Sequence, residues 1–281
     1  MFRHNLKIAL RNLAKYRLQS TVGVLSVALG MVFCSLTYIW IRYEHSFDAF
    51  HRDADDIYLV MGTNSNAADH EFLPYTSYPE GEYLAGKYPQ IEEWARCEIP
   101  QDYRIMCDGK PEYTLKGTLI DERFQDFFDV NVLDGETNLN LAYSEAAITQ
   151  KYADILFDGD ALGKTLYTDQ GQMTVISVIA NPTEPTSIYY DFLRGYDLNR
   201  YNTRYVLTTL DFVRVSRDNA GSLADMIAND TLITNYSSTD VDGEEFSWTI
   251  VDNKNYKLVP ITKLRQEEAL EVMNLNIRYI I

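Results

Sequence analysis

Cysteine is scarce in this 281-residue sequence, and its scarcity excludes a scaffold stapled by disulfides. The chain has three cysteines. Cys34 lies in a long apolar stretch, so Cys97 and Cys107 alone remain for the polar part of the chain. Small secreted domains that depend on disulfides need several such pairs. A polar part of this length can instead bury a hydrophobic core of its own.

Motifs that mark common enzymes are also missing. The chain contains no GxSxG nucleophile elbow. Residues 162–165, LGKT, resemble the end of a phosphate-binding loop, but that loop needs a glycine five positions before Gly163, where the chain has Asp158. We therefore interpret this segment as a structural turn. The sequence predicts a protein that is not an enzyme and that carries no cofactor and no catalytic metal.

Acidic residues are absent from positions 1–20, and charged residues of either sign are absent from positions 21–41. As an α-helix, the uncharged stretch would reach about 31 Å, enough to cross the roughly 30 Å hydrocarbon core of a bilayer. It is longer than the apolar region of a signal peptide and ends in bulky residues, including Tyr38 and Trp40, that suit the membrane interface. We predict a transmembrane helix over residues 21–42; a buried core helix is the alternative.

The distribution of charge orients this helix. Five of the 25 bases and none of the 41 acids lie in residues 1–20, so the rest of the chain carries 20 bases and 41 acids. Because Lys and Arg beside a membrane span stay in the cytoplasm, we expect the N-terminus inside and the long acidic part outside. The excess of acids argues against nucleic acid and anionic lipid as main partners.

The N-terminal 42 residues contain two further helical patterns. Residues 1–20 place leucines on one face with bases beside them, which predicts a cytoplasmic amphipathic helix or, alternatively, only the basic flank of the span. Within the span, small residues form one stripe that would let another membrane helix approach closely. A chance alignment of common membrane-helix residues is the alternative. The stripe consists of Gly23, Ser26, Gly30, Cys34 and Thr37.

Beyond the span, short strands mixed with short helices predict an α+β domain over residues 43–281. The membrane helix is expected to continue to about residues 51–54. Strands at 91–99 and 103–107 are predicted to form a hairpin around Pro100. The remaining predicted strands are 57–61, 113–119, 146–149, 164–167, 173–180, 205–216 and 256–264, and the helices are 79–87, 121–128, 150–157 and 222–227.

Two groups of side chains in this domain have alternative interpretations. Cys97 and Cys107 flank the predicted hairpin and could form a disulfide; we favour free thiols in apolar surroundings, because the strand register is unknown. His45, Asp48 and His51 are spaced by three on the expected helix and could hold a metal ion, but we favour a structural role for them.

Several segments together resemble a known family. They are residues 5–13, 28–30, 46–48, 50–51, 54–55, 57–58, 88–92, 95–96, 127–130, 133, 135, 147–149, 152–153, 156–157, 161–166, 174–175 and 178–179. Their order and spacing resemble the N-terminal part of ABC-transporter permeases of the MacB/FtsX-like type, that is, the first transmembrane helix and a MacB-like periplasmic core domain. The resemblance implies a porter-like α+β unit with a second, inserted unit at roughly residues 131–204.

The resemblance also implies a mode of action. A non-catalytic permease subunit of the bacterial inner membrane would couple ATP hydrolysis in the cytoplasm to a conformational change in the periplasm, for export or mechanotransmission. Its partners would be a cytoplasmic ABC ATPase subunit, a second permease copy or paralogue, the lipid bilayer, and a periplasmic partner or cargo that the sequence does not identify. Juxtamembrane residues would carry the movement: Ser46, Phe47, Asp48, Phe50, His51, Ile57 and Tyr58.

One departure from the family leaves an alternative open. The family has further membrane helices after the periplasmic domain, so we expect this chain to be the first part of a longer permease. The alternative is a single-span, membrane-anchored periplasmic sensor or binding module that works without an ATPase.

Overall fold

The computed structural model divides into two compact units, residues 1–45 and 46–281, which we describe separately. The residues it describes are 4, 11, 15–63, 72–74, 76, 80–107, 109–196, 209–239 and 245–266. Most of the predicted amphipathic helix over residues 1–20 lies outside the described residues.

The first unit is dominated by one long apolar helix, α1 (Arg17–Glu44). Its most apolar window has a mean hydropathy of 2.1, and none of that window is buried. By length and composition this helix could cross a membrane. It begins before and ends after the predicted span of 21–42. It does not continue to residues 51–54, so that prediction is wrong.

The early end of α1 has a local cause. The backbone N–H of His45 closes the last turn on the carbonyl of Ile41. Three residues later, Asp48 takes a left-handed conformation with φ 56°, and Asp53 does the same with φ 58°. Two left-handed residues cannot belong to one right-handed helix, and Asp is among the few side chains that tolerate this conformation.

The second unit contains an antiparallel sheet covered by two helices. Its chain order is strand, helix, strand, strand, helix, strand, and its sheet order is β3-β11-β1-β14, a ferredoxin-like arrangement. Alternate residues of β1 face opposite sides: Tyr58 and Val60 pack with Leu84 and Leu223 of the helices, whereas Ile57 and Leu59 enter a second core. The elements are β1 (Ile57–Thr63), α2 (Glu80–Lys87), β3 (Glu93–Glu98), β11 (Thr209–Arg214), α5 (Arg217–Ile227) and β14 (Tyr256–Pro260).

Between β3 and β11 the chain forms a closed ring of strands. Pairings run β4-β5-β10-β7-β9-β8 and return to β4, with β10 parallel to β5 and β7 parallel to β9. The interior is tightly filled, since a Cβ at Gly117 would lie 2.2 Å from the Phe192 ring. The ring and its covering helix are β4 (Gln101–Met106), β5 (Tyr113–Ile120), β7 (Glu145–Thr149), α4 (Gln150–Phe157), β8 (Thr165–Thr168), β9 (Gly171–Ile179) and β10 (Phe192–Gly195).

The ring and the ferredoxin-like sheet share β5, and this corrects the predicted hairpin. Cys97 of β3 pairs with Ile120, and Gln101 of β4 pairs with Gly117, so both strands follow the same neighbour in the same direction. From Cys97 to Gln101 the chain advances four residues, whereas the paired positions in β5 advance three, from Ile120 to Gly117. One extra residue on one of two paired strands is a β-bulge. Pro100 lies in this bulge, where its missing N–H breaks no ladder bond.

The remaining elements complete an α+β domain, which confirms the predicted fold class. They are β2 (Phe72–Leu73), α3 (Phe124–Phe127), β6 (Val132–Gly135), a separate hairpin of β12 (Asp230–Thr239) and β13 (Glu245–Lys254), and 3₁₀ turns at Ala54–Asp56 and Ile261–Gln266. Part of the predicted strand 205–216 lies outside the described residues. The proposed inserted unit at 131–204 stays a prediction.

Candidate functional site

The segment between α1 and β1 holds most of the juxtamembrane residues that the sequence singled out. We call it the junction, residues 46–56. Phe47, Asp48, His51 and Ala54 are buried within the second unit, whereas Phe50 is 42% exposed. A linker of this length would normally be solvated. Its buried side chains instead make the junction part of the folded domain.

Asp48 fixes the first half of the junction. Its carboxylate, 1% exposed, accepts hydrogen bonds from the Thr186 hydroxyl at 2.9 Å and the Ser187 N–H at 3.0 Å. Its own N–H donates to the carbonyl of Pro185 at 3.0 Å. These bonds tie the junction to the connection between β9 and β10, which we call the strap, residues 180–190. A buried carboxylate is tolerated because donors surround it.

The second half of the junction is tied to α5. The carbonyl of Asp56 accepts the Val215 N–H at 2.8 Å, and its carboxylate accepts the Arg217 N–H at 3.2 Å. An exposed ion pair joins Arg217 to Asp55. Acids at the start of α5 also suit the positive end of the helix dipole. The junction is thus held at both of its ends.

Ile57 and Tyr58 continue the junction into the sheet. They pair with Arg214 and Val213 of β11, respectively. Ile57 is fully buried with the core that contains Phe128 and Phe212, and Tyr58 packs on the helix side with Val60. Both therefore contribute to the packing of the sheet.

His51 and Asp48 are the buried polar residues of the junction. The Asp48 carboxylate is hydrogen-bonded, whereas the His51 ring is not. Neither ring nitrogen has a hydrogen-bond partner among the described residues. Nε2 lies 3.9 Å from Asp48 and Nδ1 3.8 Å from Asp129, both beyond hydrogen-bonding distance. Burial lowers the pKa of His51, although the two carboxylates act in the opposite direction. The ring is held by Phe50 and by an edge-on contact with Phe128.

A cavity of about 270 Å³ opens beside His51. The junction, the α3–β6 connection and the strap form its walls. Asp129 lies at the rim, where a backbone bond from Arg52 at 2.6 Å holds its carboxylate. The lining residues are Phe50, His51, Phe124, Phe128, Asp129, Asn131, Ala180, Asn181, Pro182, Thr183, Glu184, Thr186, Ile188 and Tyr190.

The metal alternative for His45, Asp48 and His51 is not supported. It required one helical face, and α1 ends before Asp48. Across the described part of the chain, no group of three or more His, Cys, Asp and Glu side chains has a metal-binding arrangement.

The small-residue stripe lies on α1, and its side chains are exposed. The hydroxyls of Ser26 and Thr37 donate to Val22 and Phe33 one turn earlier, so these polar groups are satisfied within the helix. Nothing lies within 4 Å of a Cβ built on Gly23 or Gly30 among the residues described. The role of Gly23, Ser26, Gly30, Cys34 and Thr37 in helix packing stays a prediction.

Neither cysteine of the described domain is in a disulfide. Cys97 is buried in the core below the ferredoxin-like sheet, and Cys107 lies in the core of the ring. The possible disulfide between them is therefore not formed. Burial raises the pKa of Cys97 well above its usual value, which makes this thiol a poor nucleophile.

Sequence reasoning missed a second buried polar centre, around Asp211. Its carboxylate accepts Nε–H of Arg96 at 2.8 Å, the Thr76 hydroxyl at 2.6 Å and the Gly81 N–H at 3.0 Å. A Cβ on Gly81 would lie 2.6 Å from Cγ of Asp211, so a glycine is required there. The centre fixes the start of α2 on the sheet. No local sequence pattern predicts this centre, because its residues are 5 to 135 positions apart in the chain.

The chain combines one helix long and apolar enough to cross a membrane with an α+β domain, and comparison with known sequences identifies the family of that domain. The MacB-like periplasmic core domain matches residues 20–228 of the chain. This match covers most of the chain, so the protein belongs to the MacB-like periplasmic core domain family, and the resemblance seen in the sequence is confirmed. The family is a component of transporter permeases and not a class of enzyme.

Solved structures are similar to this chain to different extents. A domain of a permease protein from Porphyromonas gingivalis is similar over 75% of this chain and 92% of its own, with 17% identity and a TM-score of 0.56. The periplasmic region of MacB from Actinobacillus actinomycetemcomitans covers 62% and 83%, with 14% identity and a TM-score of 0.45.

The extracellular domain of YknZ, a noncanonic ABC-type transporter from Gram-positive bacteria, covers 60% of this chain and 88% of its own, with 14% identity and a TM-score of 0.46. No curated protein sequence matches the chain. The Porphyromonas domain supports the fold, and the family match supports the assignment to transporter permeases.

Proposed function

We propose that this chain is a non-catalytic permease subunit that couples ATP hydrolysis by a cytoplasmic ABC ATPase to a conformational change in the periplasm. The observation that carries the proposal is the junction. Only His45 and Ser46 separate the last helical residue, Glu44, from buried Phe47. So short a link, followed by a segment bonded to the strap and to α5, can transmit a displacement that a flexible linker would absorb.

The charge distribution supports the orientation. The basic N-terminus would lie in the cytoplasm and the acidic domain in the periplasm, with α1 in the inner membrane. The stripe of small residues on α1 would pack against membrane helices of the same permease or of a second copy or paralogue. Export of a cargo and mechanotransmission to a periplasmic partner both fit this arrangement.

The junction can be tested by lengthening it. Inserting Gly-Ser-Gly-Ser between His45 and Ser46 adds flexible chain without removing a buried group. Replacing Phe47 with a charged residue is a poorer test, because a buried charge would unfold the junction. The matched control carries the same insertion after Gly159, in the exposed turn that follows α4.

The measurement is hydrogen–deuterium exchange in the periplasmic domain of the assembled transporter, with and without ATP. We expect ATP to change the exchange in the parent protein and in the control, and the junction insertion to abolish this change while the ATPase still co-purifies. An unchanged response in the junction variant would overturn the proposal. Absence of any ATPase partner, together with a ligand-dependent signal, would instead favour the membrane-anchored sensor.

A further inference from the structure

The cavity beside His51 has a chemical character that the coupling role does not use. Its lining contains two carboxylates, Asp129 and Glu184, and two amide side chains, Asn131 and Asn181, but no lysine or arginine. Phe50 and Tyr190 supply aromatic surface. Carboxylates together with aromatic faces attract a cation and repel an anion.

His51 provides the second, independent observation. Its side chain is more than nine-tenths buried, lines the cavity and has no hydrogen-bond partner on either ring nitrogen. A buried polar group without a partner is costly, and a ligand that supplies one of the two missing hydrogen bonds reduces that cost. A neutral imidazole has one acceptor nitrogen, which matches an N–H donor on the ligand.

The size of the site indicates how much of the ligand enters it. At about 270 Å³ the cavity is smaller than the range of about 300–1,000 Å³ that is usual for drug-sized ligands. One long side chain would fill it. A shallow groove shares Asp129 and Asn131 with the cavity and continues past Gln125, Asp126 and Glu122. Such a groove suits a ligand that extends beyond one residue.

We propose that this cavity binds the lysine or arginine side chain of a periplasmic polypeptide whose flanking residues lie along the adjoining acidic groove. Asp129 and Glu184 would pair with the cationic head, the imidazole of His51 would accept one of its N–H groups, and Phe50 and Tyr190 would cover its apolar stem. This binding site goes beyond the proposed function and does not depend on an ATPase.

The site predicts a direction of pH dependence. Protonation of His51 would place a positive charge beside the bound cation and remove the acceptor, so affinity should fall as the pH drops. Asp48 and Asp129 face the ring and Glu184 lines the same cavity; Arg52, the adjacent base, is exposed and outside the lining. Because burial lowers the pKa of His51 below its usual 6.5, the loss of affinity should appear as the pH falls below about 6.5.

The test uses the full chain in dodecyl maltoside micelles, which carry no charge. The probe is the peptide acetyl-GGRGG-amide, and its control is the same peptide with neutral citrulline in place of arginine. Binding is followed through the imidazole C–H resonances of the four histidines, with His51 assigned from a His51→Gln variant.

The double variant Asp129→Asn/Glu184→Gln removes both charges and keeps side-chain shape. Glu136→Gln, at an exposed acid outside the cavity, is the matched control.

We expect the arginine peptide to shift the His51 resonance, and both the citrulline peptide and the double variant to weaken binding about 5- to 10-fold or more. Glu136→Gln should bind like the parent. Equal binding of the arginine and citrulline peptides, or unchanged affinity in a folded double variant, would overturn the proposal. If the free amine agmatine binds as tightly as the peptide, the polypeptide assignment is wrong and the site takes small amines.

Discussion

The two buried polar centres of the domain are built in opposite ways. At Asp211, a guanidinium, a hydroxyl and a backbone N–H all donate to one fully buried carboxylate. At His51, a buried ring has two carboxylates within 4 Å but no hydrogen bond. The first centre has its partners within the fold. The second has no hydrogen-bond donor or acceptor for its ring nitrogens among the described residues, and the proposed binding site rests on this difference.

Their positions agree with this difference. The Asp211 centre lies between the sheet and the start of α2. The His51 centre lies in the junction, beside the strap and next to an open cavity. A buried polar group without a hydrogen bond costs stability, and a ligand that supplies the bond recovers part of that cost. The comparison therefore predicts that changes at Asp211 cost stability and that changes around His51 alter binding and pH response.

The largest effect is expected from Asp211→Ala. Removing the carboxylate leaves the buried guanidinium of Arg96 without its main counter-charge, which typically costs about 3–5 kcal/mol. Denaturant unfolding of the full chain would measure the loss. The double variant Arg96→Met/Asp211→Leu is the control, because removing both charges should cost much less than removing one. A single variant as stable as the parent would contradict the view of Asp211 as the structural centre.

A smaller loss is expected from Gly81→Ala. The added Cβ would contact the Asp211 carboxylate, so either the carboxylate or α2 must shift, at a cost of about 1–3 kcal/mol. Gly86→Ala lies in the same helix with open space at its Cβ, and should be neutral or stabilising by up to about 1 kcal/mol. Thermal or denaturant unfolding of the two variants side by side checks the prediction. Equal effects would show that the close packing at Gly81 is not limiting.

The smallest effect is a change in pH dependence at His51. Because burial lowers its pKa in the folded protein, the unfolded chain binds this proton more readily, and stability contributed by neutral His51 is complete above about pH 6.5 and is lost as the pH falls. One group changes stability by at most about 1.4 kcal/mol per pH unit. His51→Gln should therefore flatten the curve between pH 7 and 5.

Asp121 must be allowed for in that measurement. Burial raises its pKa to about 6, so its contribution is complete below about pH 4 and is lost as the pH rises through 6, opposite in sign to that of His51. The quantity to compare is thus the difference between His51→Gln and the parent at each pH, and Asp121→Asn should change the curve in the other direction. A His51→Gln curve parallel to that of the parent would contradict the burial of a neutral imidazole.

Local sequence patterns predicted many of the elements that form within one stretch of chain. The helix Gln150–Phe157 was predicted with its observed bounds, and the hairpin of β8 and β9 follows from strands around the turn at Gly171. In contrast, β10 was missed. It has four residues, and Arg194 is buried inside the ring against the Tyr143 face. Strands are predicted from alternating apolar and polar residues. A four-residue strand in which the charged residue is also buried does not show this alternation.

At the candidate site, too, the local sequence predicted one part of the junction correctly and another part wrongly. Its residues were singled out because they resemble a family segment, but the helix expected there ends at Glu44. Asp48 leaves the helical path because distant partners, Thr186 and Ser187, hold its carboxylate. Similarly, the sequence predicted that Cys97 and Cys107 flank a hairpin. In the structure β3 and β4 both pair with β5, so the two cysteines lie in different cores.

The amino-acid sequence by itself determined the apolar helix, its expected orientation, the α+β class and the family, because each depends on composition, charge order or the order of short segments. Only the tertiary structure decided the closed ring, the hydrogen-bonded carboxylate of Asp211 and the cavity at His51. Those features depend on contacts between residues as many as 139 positions apart. Strand register and the partners of a buried charge are settled by packing, which no local pattern records.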